Sequence, residues 1–235
     1  MLNLSELTDK VRALAIEAGD FIREERKKFH REAIEKKHAH DYVSYVDKES
    51  EKKIVTRLKE LLPEAGFIAE EGSGTLNDEQ YCWLVDPLDG TTNFIHDNAP
   101  YCVSIALRSK KELLLGVVYE ICRNECFWTY KGAPSYLNGN EIHVSAISNL
   151  DDSFIALGFP YATEEYKPMA NHLVNTLYGN VAGLRLMGAA AVELCYIAAG
   201  MITDFKGGDS YSSGSQVLAS NGRIHRDLLN IIDNL

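Results

Sequence analysis

Two aspartates that follow an apolar segment, Asp86 and Asp89, have the type and spacing needed to hold a divalent cation. The apolar residues 83–85, Trp-Leu-Val, predict a buried strand. Pro87 has no backbone N–H and is expected to end that strand. We therefore expect the two carboxylates to lie on one turn, close enough to share an ion, and carboxylate oxygens are ligands that Mg²⁺ prefers.

The residues after Asp89 are suited to binding phosphate. Gly90 can adopt backbone conformations that other residues resist, and residues 91–93, Thr-Thr-Asn, can cap the start of a helix. A helix start presents N–H groups without intrahelical partners and a partial positive charge, which favour an anion. A solvated Asp-Gly turn is the alternative, but the joint occurrence of these residues favours a metal site beside a phosphate site.

A second acidic pair, Glu70 and Glu71, follows the short apolar segment 67–69. Taken alone, this pattern is typical of an exposed acidic loop. Asp47 ends an extended segment, residues 42–47, that leads into a helix, and it is well placed to cap that helix. From the residues alone, each of these acids has a structural explanation as well as a chemical one.

The elements that would position these residues follow from hydrophobic periodicity. A first amphipathic helix is predicted from an N-cap at Ser5 to about Phe29, and a second helix ends near Pro63. Three β-rich segments then predict an antiparallel meander, and Asn138-Gly139 predicts a hairpin turn. The three segments are residues 101–107, 113–119 and 125–130.

The C-terminal part of the chain alternates between short strands and helices. Strands are predicted at residues 154–159, 184–187, 202–205 and 216–220. Helices are predicted from Thr163 to Gly179, with Pro168 near the start, from Gly188 through Ile197 to residues 198–200, and from Arg226 to Leu235. The small residues 188–191 would let a ligand approach the backbone, although tight helix packing on a sheet would select them equally.

The composition is ordinary for a soluble globular protein, with 46% hydrophobic and 25% charged residues among 235. The formal net charge of −10 argues against the basic footprint of a nucleic-acid-binding protein and disfavours docking on an anionic membrane. We find no apolar run long enough to span a membrane and no signal peptide. The five scattered cysteines are typical of reduced core residues, so we expect a cytoplasmic protein.

The string from Trp83 to Phe94 resembles the signature of the inositol monophosphatase family, which belongs to the Mg²⁺-dependent, Li⁺-sensitive sugar-phosphatase superfamily. Its Thr-Thr-Asn-Phe ending is similar to the inositol monophosphatase branch. The resemblance covers nearly the whole chain and implies an α/β fold, a layered α/β/α/β/α sandwich. It implies one domain over residues 1–235, with a metal- and phosphate-binding half, 1–145, and a second half, 146–235.

The resemblance also implies roles for the acidic residues. The carboxylates of Glu70 and Asp86 and the carbonyl of Leu88 would hold a first Mg²⁺ ion, and Asp86 would bridge to a second ion beside Asp89. Glu70 would in addition orient the attacking water, and Glu71 would orient the metal ligands. Two or three ions are expected, with Li⁺ as an inhibitor.

The same resemblance implies which groups contact the water and the phosphate. Asp47 would bond the hydroxyl of Thr91, and this dyad would polarise the nucleophilic water. The backbone N–H groups of Gly90 and Thr91 would hold the phosphate oxygens, and Asp89 would also contact the substrate.

Three further positions are weaker assignments. Gly188 and Ala190 match a family element that lines the substrate pocket. Lys36 would lie near the mouth of the site, although an ordinary surface lysine is the alternative. The family commonly forms dimers, so a homodimer is expected, and the partner molecule would be a small phosphorylated polyol or sugar.

One segment of the family pattern is missing. Gly200 passes directly to Met201, where the family has a strand, an acidic position that contacts the sugar, a Trp-Asp motif and most of a helix. Either the protein is a deletion variant or the sequence joins residues that flank a further segment, and the intact remainder of the pattern favours the second alternative. A true deletion removes an Asp of the second metal site, so it predicts weak or no turnover with the first metal site preserved.

The resemblance thus implies a Mg²⁺-dependent phosphate monoester hydrolase that acts on myo-inositol monophosphates through attack of a metal-activated water. The alternative substrates are other small phosphates: a 3'(2'),5'-bisphosphate nucleotide such as phosphoadenosine phosphate, fructose 1,6-bisphosphate, histidinol phosphate or NADP. A catalytically impaired member that binds another protein is a further alternative.

Overall fold

The structure is a computed structural model that describes residues 2–30, 34–38, 41–73, 79–110, 112–159, 164–198, 200–212 and 216–234. The chain divides into two compact units. The N-terminal unit comprises Met1–Ile142 and Gly188–Cys195, and the C-terminal unit comprises His143–Met187 and Tyr196–Leu235. A single domain with halves that meet at residues 145 and 146 stays a prediction.

The N-terminal unit begins with a helix, a two-stranded ribbon and a second helix. These are α1 (Leu4–Lys28), β1 (Ile34–His38) antiparallel to β2 (Asp41–Ser44), and α2 (Tyr45–Leu61). Each helix buries a stripe of apolar side chains at helical spacing, as Val11 and Ile22 of α1 and Leu58 of α2 illustrate. The two predicted helices are therefore confirmed. Within the described residues, no helix is both long enough and apolar enough to cross a membrane.

The starts of both helices differ from the prediction. The cap of α1 is Asn3, whose side-chain oxygen accepts a backbone N–H of the first turn at 3.3 Å, and Ser5 lies inside the helix. The cap of α2 is Ser44, and Asp47 closes the capping box by accepting the Ser44 N–H at 2.9 Å. The extended segment predicted for residues 42–47 is confirmed over 42–44, which lie in β2, and was wrong over 45–47, because the Ser44 cap starts the helix at the next residue.

The N-terminal unit contains a mixed seven-stranded sheet whose strands follow one another in chain order. They are β3 (Gly66–Ala69), β4 (Tyr81–Asp89), β5 (Cys102–Ser109), β6 (Leu113–Glu120), β7 (Glu125–Tyr130), β8 (Ser135–Leu137) and β9 (Asn140–Ile142). Strands β3 and β4 are parallel, and each later pair is antiparallel, which confirms the predicted meander. Asn138 and Gly139 connect β8 to β9 with φ of 50° and 85°, as the predicted hairpin turn requires.

Strand β4 does not end at Pro87, contrary to the prediction. It pairs with β5 at Asp86 opposite Ser104 and again at Asp89 opposite Cys102, with an irregularity between them. A bulge leaves a residue outside the ladder, so a proline is tolerated there. The two aspartates therefore lie on either side of a bulge in the strand, and not on a turn that follows it.

The core of the N-terminal unit joins α1 and α2 to the sheet. Trp83 and Ile105 are 0% exposed, and Val117 is 1% exposed. The approach of α1 to β6 depends on Gly19, because a Cβ there would lie 2.4 Å from the ring of Tyr119. This packed layer is the support for the residues at the end of β4.

The remaining elements are short. They are α3 (Thr91–Ile95), β10 (Phe154–Ala156), α4 (Lys167–Leu177), β11 (Gly183–Arg185), α5 (Ala190–Cys195), β12 (Met201–Thr203), a 3₁₀ helix (Ser210–Ser212), β13 (Leu218–Ser220) and α6 (His225–Asp233). In the C-terminal unit, β10 is parallel to β11 and β12 is antiparallel to β13. Each strand has three residues and pairs with one partner, so the predicted strands were too long.

The helix α5 ends at Cys195, earlier than the predicted Ile197. Ala198 has a positive φ of 61°, which is incompatible with a continuing α-helix. Residues 196–198 and Gly200, which are described, lie outside helix and strand, and β12 begins at Met201. Helix α5 therefore ends before the join between Gly200 and Met201.

Candidate active site

The end of β4 and the start of α3 bring together the residues of the signature. Gly90 is the N-cap of α3 with a φ of 88°, and no side chain makes a capping hydrogen bond, so the predicted cap at residues 91–93 was wrong. A Cβ on Gly90 would lie 3.0 Å from the Pro100 carbonyl oxygen and 3.1 Å from the Ala189 Cβ. The positive φ and the lack of space explain why glycine stands at this turn.

Thr91 lies next to Asp47, as the resemblance implies. The Thr91 hydroxyl oxygen is 3.0 Å from Asp47 Oδ1 and also 3.0 Å from the Leu88 carbonyl oxygen, and its single proton can be donated to either. Asp47 is 1% exposed, and its Oδ2 accepts the N–H and the O–H of Ser44 at 2.9 and 2.7 Å. Burial raises the pKa of Asp47, while the bonds from Ser44 and Thr91 act in the opposite direction.

Glu70 and Asp86 come together because of the register of two parallel strands. Ala69 of β3 pairs with Val85 of β4, so the next residue of each strand, Glu70 and Asp86, lies at the same edge of the sheet. The Glu70 N–H donates to the Val85 carbonyl at 3.2 Å. Burial and the neighbouring carboxylates of Glu70 and Asp89 raise the pKa of Asp86 well above its usual range. A cation would offset this repulsion.

The carboxylate of Asp89 holds the first turn of α5. It accepts the Ala191 N–H at 2.7 Å, the Ala190 N–H at 3.3 Å and the Cys102 thiol at 3.5 Å. Burial raises the pKa of Asp89, and these hydrogen bonds oppose that effect. Ala190, which was assigned to the substrate pocket, is therefore brought to the signature by a backbone hydrogen bond.

Gly188 approaches the signature through Asn93. Its φ is 78°, and a Cβ there would lie 3.2 Å from the Asn93 side-chain amide. That amide donates to the Pro100 carbonyl oxygen at 2.7 Å, and the Gly188 N–H donates to Glu193 at 3.0 Å. We predicted only a capping role for Asn93, so its contact with residue 188 was missed.

Two predicted residues stand apart from this geometry. Lys36 lies in β1, but its side chain is outside the described residues. The Glu71 N–H donates to Glu51 Oε2 at 2.6 Å. Sequence reasoning missed Glu51, although its spacing of four residues from Asp47 was a usable signal, because the charged stretch around it is typical of a solvated helix face.

The donor set of the first metal site fits Mg²⁺ in its chemistry. The Glu70 and Asp86 carboxylates and the Leu88 carbonyl are hard oxygen ligands, and the mutual repulsion of the two acids is what a cation would relieve. Among the described residues, no three His, Cys, Asp or Glu side chains converge as a metal-binding group. The acid nearest to the second site predicted at Asp86 and Asp89 is Glu70, which the first site already uses.

The family model that matches this chain is described as the inositol monophosphatase family, and it covers residues 3–211. The chain belongs to the inositol monophosphatase family. A curated relative, Nus factor SuhB of Pasteurella multocida strain Pm70, is 34% identical over 225 residues, which covers 83% of this chain and 84% of the relative. The matched stretch is 225 positions long but contains only 83% of the 235 residues of this chain. Some positions of the relative within that stretch therefore have no counterpart in this chain.

Solved structures confirm the predicted α/β fold of this family. The extragenic suppressor protein suhB of Bartonella henselae has a TM-score of 0.89 and 28% identity, covering 95% of this chain and 97% of that chain. Inositol monophosphatase of Anabaena (Nostoc) sp. PCC 7120 has a TM-score of 0.85 and 26% identity, covering 100% of this chain and 98% of that chain.

Proposed function

We propose that this protein is a Mg²⁺-dependent hydrolase of phosphate monoesters, with myo-inositol monophosphates as its substrates. The observations that carry the proposal are the register of β3 and β4, which places Glu70 and Asp86 at one edge of the sheet, and the hydroxyl of Thr91 held 3.0 Å from Asp47. The name of the Anabaena structure, inositol monophosphatase, supports the choice of substrate.

The chain supplies the metal ligands in this proposal. Glu70, Asp86 and the Leu88 carbonyl would hold one ion, and Asp86 with Asp89 would hold part of a second site. Bound Mg²⁺ neutralises phosphate charge and makes water a stronger nucleophile. Two or three ions and inhibition by Li⁺ remain proposals from the family resemblance.

The protein's own groups position the water and the phosphate. With its proton donated to Asp47, 3.0 Å away, the Thr91 hydroxyl would keep its lone pairs for a hydrogen bond from the attacking water. The Glu70 carboxylate accepts the other water proton, which it then returns to solvent, and aligns the oxygen with phosphorus. The N–H groups of Gly90 and Thr91 hold phosphate oxygens, as water adds to phosphorus, the ester bond breaks and the alcohol leaves with a proton from solvent.

The substrate pocket is proposed to lie beside Gly188 and Ala190. The Ala190 N–H bonds the Asp89 carboxylate at 3.3 Å, and this contact supports a pocket at that end of the signature. At Gly188, the Asn93 amide occupies the place that a Cβ would take. Lys36 near the mouth and Glu71 beside the ligands complete the proposed site, and a homodimer is expected from the family.

The test is phosphate release from inositol 1-phosphate, with and without Mg²⁺, beside the alternative small phosphates. We expect Mg²⁺-dependent turnover that Li⁺ inhibits and that Asp86→Asn abolishes without unfolding the protein. Asp151→Asn, the same change at an exposed turn of the C-terminal unit, should leave turnover intact. Retained turnover in Asp86→Asn would refute the assignment of the metal site.

A binding protein without turnover is the second candidate. Two features of the chain favour this candidate: Gly200 joins Met201 directly, and part of the curated relative is absent here. The name of that relative, Nus factor SuhB, also favours it. This candidate predicts uptake of Mg²⁺ with no hydrolysis of any ester in the panel. The mass of the intact chain distinguishes the hydrolase from the binding protein. A mass above 26.2 kDa would show that the missing segment is present, which would favour the hydrolase.

A further inference from the structure

Helix α2 carries a second buried carboxylate besides Asp47. Glu51 lies four residues after Asp47, so the two side chains share one face of the helix. Each is 1% exposed. Burial of a carboxylate is strongly unfavourable unless hydrogen bonds compensate for the lost water. The hydrogen-bond partners of Glu51 therefore indicate its structural role.

Both oxygens of Glu51 bind the turn that follows β3. Oε2 accepts the Glu71 N–H at 2.6 Å, and Oε1 accepts the Ser73 N–H at 2.9 Å. Bonds from backbone N–H groups to a charged acceptor are stronger than those between neutral groups. The two donors are two residues apart, so the carboxylate fixes the path of the backbone as well as its position.

The two remaining N–H groups of this turn are bonded within the sheet and the turn. The Glu70 N–H donates to the Val85 carbonyl at 3.2 Å, and the Gly72 N–H donates to the Ala69 carbonyl at 3.3 Å. Four successive N–H groups, from residue 70 to residue 73, are therefore bonded. Half of these bonds, and the two shorter ones, go to the Glu51 side chain.

We propose that Glu51 is a positioning residue that fixes the turn from 70 to 73 and so holds Glu70 at the sheet edge that it shares with Asp86. Asp47 orients Thr91 from the same helix face, so α2 aligns both sides of the site from one rigid element. This inference rests on the proposed function, in which Glu70 is a metal ligand.

The primary test is Glu51→Gln, which keeps the shape of the side chain but replaces one acceptor oxygen with an amide that cannot accept an N–H. We expect faster hydrogen exchange at the amides of Glu71 and Ser73. We also expect Mg²⁺ binding, measured by calorimetry, to weaken by about 10- to 100-fold, and turnover to recover as Mg²⁺ is raised. Glu49→Gln makes the same change at an exposed position of α2 and should alter neither quantity.

A second variant reaches the same turn if Glu51→Gln does not fold. Gly72 has a φ of 92°, and a Cβ there would meet nothing within 4 Å, so Gly72→Ala strains the turn without a clash. Gly132 has a φ of 88° and the same open surroundings, which makes Gly132→Ala a matched control. Both should lose similar stability, and only Gly72→Ala should weaken Mg²⁺ binding.

Two results would overturn the proposal. Unchanged exchange at Glu71 and Ser73 in Glu51→Gln would mean that the carboxylate does not hold the turn. Faster exchange with unchanged Mg²⁺ binding would mean a purely structural role. If the unmodified protein binds Mg²⁺ but hydrolyses nothing, the proposed function fails and the binding data still decide the role of Glu51. If it binds no Mg²⁺, hydrogen exchange alone decides whether Glu51 holds the turn.

Discussion

The two units of this chain differ in how their strands bury side chains. In the N-terminal unit, a continuous seven-stranded sheet lets Trp83 and Ile105 reach 0% exposure. In the C-terminal unit, two separate pairs of three-residue strands leave Phe154 62% and Met201 48% exposed. The difference shows that a long ladder, with neighbours on both sides of most strands, gives close packing that short pairs do not.

The proposed chemistry lies in the more tightly packed unit. Buried carboxylates such as Asp47 and Glu51 cost free energy, which a large apolar core can offset. Their hydrogen bonds are directional, so the same packing that buries them also fixes the groups that they hold. The C-terminal unit has a smaller buried cluster, which consists of Ile155, Leu177, Ile224 and Leu228.

The largest expected effect comes from deleting a core side chain in each unit. Leu58→Ala removes a side chain that is 0% exposed and should cost about 4 kcal/mol, whereas Leu228→Ala, at 7% exposure, should cost about 2 kcal/mol. Hydrogen exchange within each unit measures the two losses separately. Equal losses would contradict the contrast drawn between the cores.

Removing the Thr91 hydroxyl should damage turnover without affecting the C-terminal unit. Thr91→Val keeps the shape but loses the bond to Asp47, and kcat for phosphate release should fall by about 10²-fold. Thr56→Val on the exposed face of α2 also loses a hydroxyl, one that bonds the Lys52 carbonyl at 2.7 Å, and it should leave kcat unchanged. A similar fall in both variants would argue against the dyad.

The stability of the C-terminal unit should decrease below about pH 6.5 because of His225. The Thr203 hydroxyl donates to the Asp204 carbonyl at 2.7 Å, so it accepts the Nε2–H of His225, and Ser220 donates to Nδ1. Burial lowers the pKa of His225. The unfolded chain therefore takes up a proton at a higher pH than the folded chain does. The contribution of neutral His225 to stability is fully present above about pH 6.5 and is lost as the pH falls below it.

Urea unfolding at pH 7 and pH 5, followed by hydrogen exchange in the C-terminal unit, measures this loss. His225→Gln cannot titrate and should show a flatter pH dependence, whatever its stability at pH 7. An unchanged slope in the variant would assign the pH effect to other groups.

The smallest expected effect tests the start of α1. Asn3→Ala removes the cap and should destabilise the N-terminal unit by about 1 kcal/mol, while Ser5→Ala should change little. Thermal unfolding of the two variants decides between the observed cap and the one predicted from the sequence. A larger loss in Ser5→Ala would restore the original prediction.

The parts of the fold that were predicted from the sequence depend on local signals. The bounds of β7 (Glu125–Tyr130) agree with the predicted segment, and Asn138-Gly139 forms the predicted hairpin, because alternation and turn chemistry act over a few residues. The caps of α1 and α2 were misplaced since several neighbouring polar residues could serve. Pro87 was misjudged because a bulge, which depends on the partner strand, makes a proline acceptable.

The site was predictable in its residues and less so in its contacts. The signature and the acids at 70 and 86 could be found from residue type and spacing. The bonds of Asp89 to Ala190 and Ala191, and those of Glu51 to Glu71 and Ser73, join segments that are distant in sequence. Nothing in local periodicity specifies such pairs, so they needed the tertiary structure.

The return of Gly188–Cys195 to the N-terminal unit has a consequence for biosynthesis. A ribosome synthesises residues 1–142 well before residue 195. During that interval, the Asp89 carboxylate lacks the hydrogen bonds from the N–H groups of Ala190 and Ala191. Asp89 can accept those bonds only after the intervening 45 residues, His143–Met187, have emerged from the exit tunnel. The nascent chain thus completes this end of the site late, when most of the polypeptide has already been made.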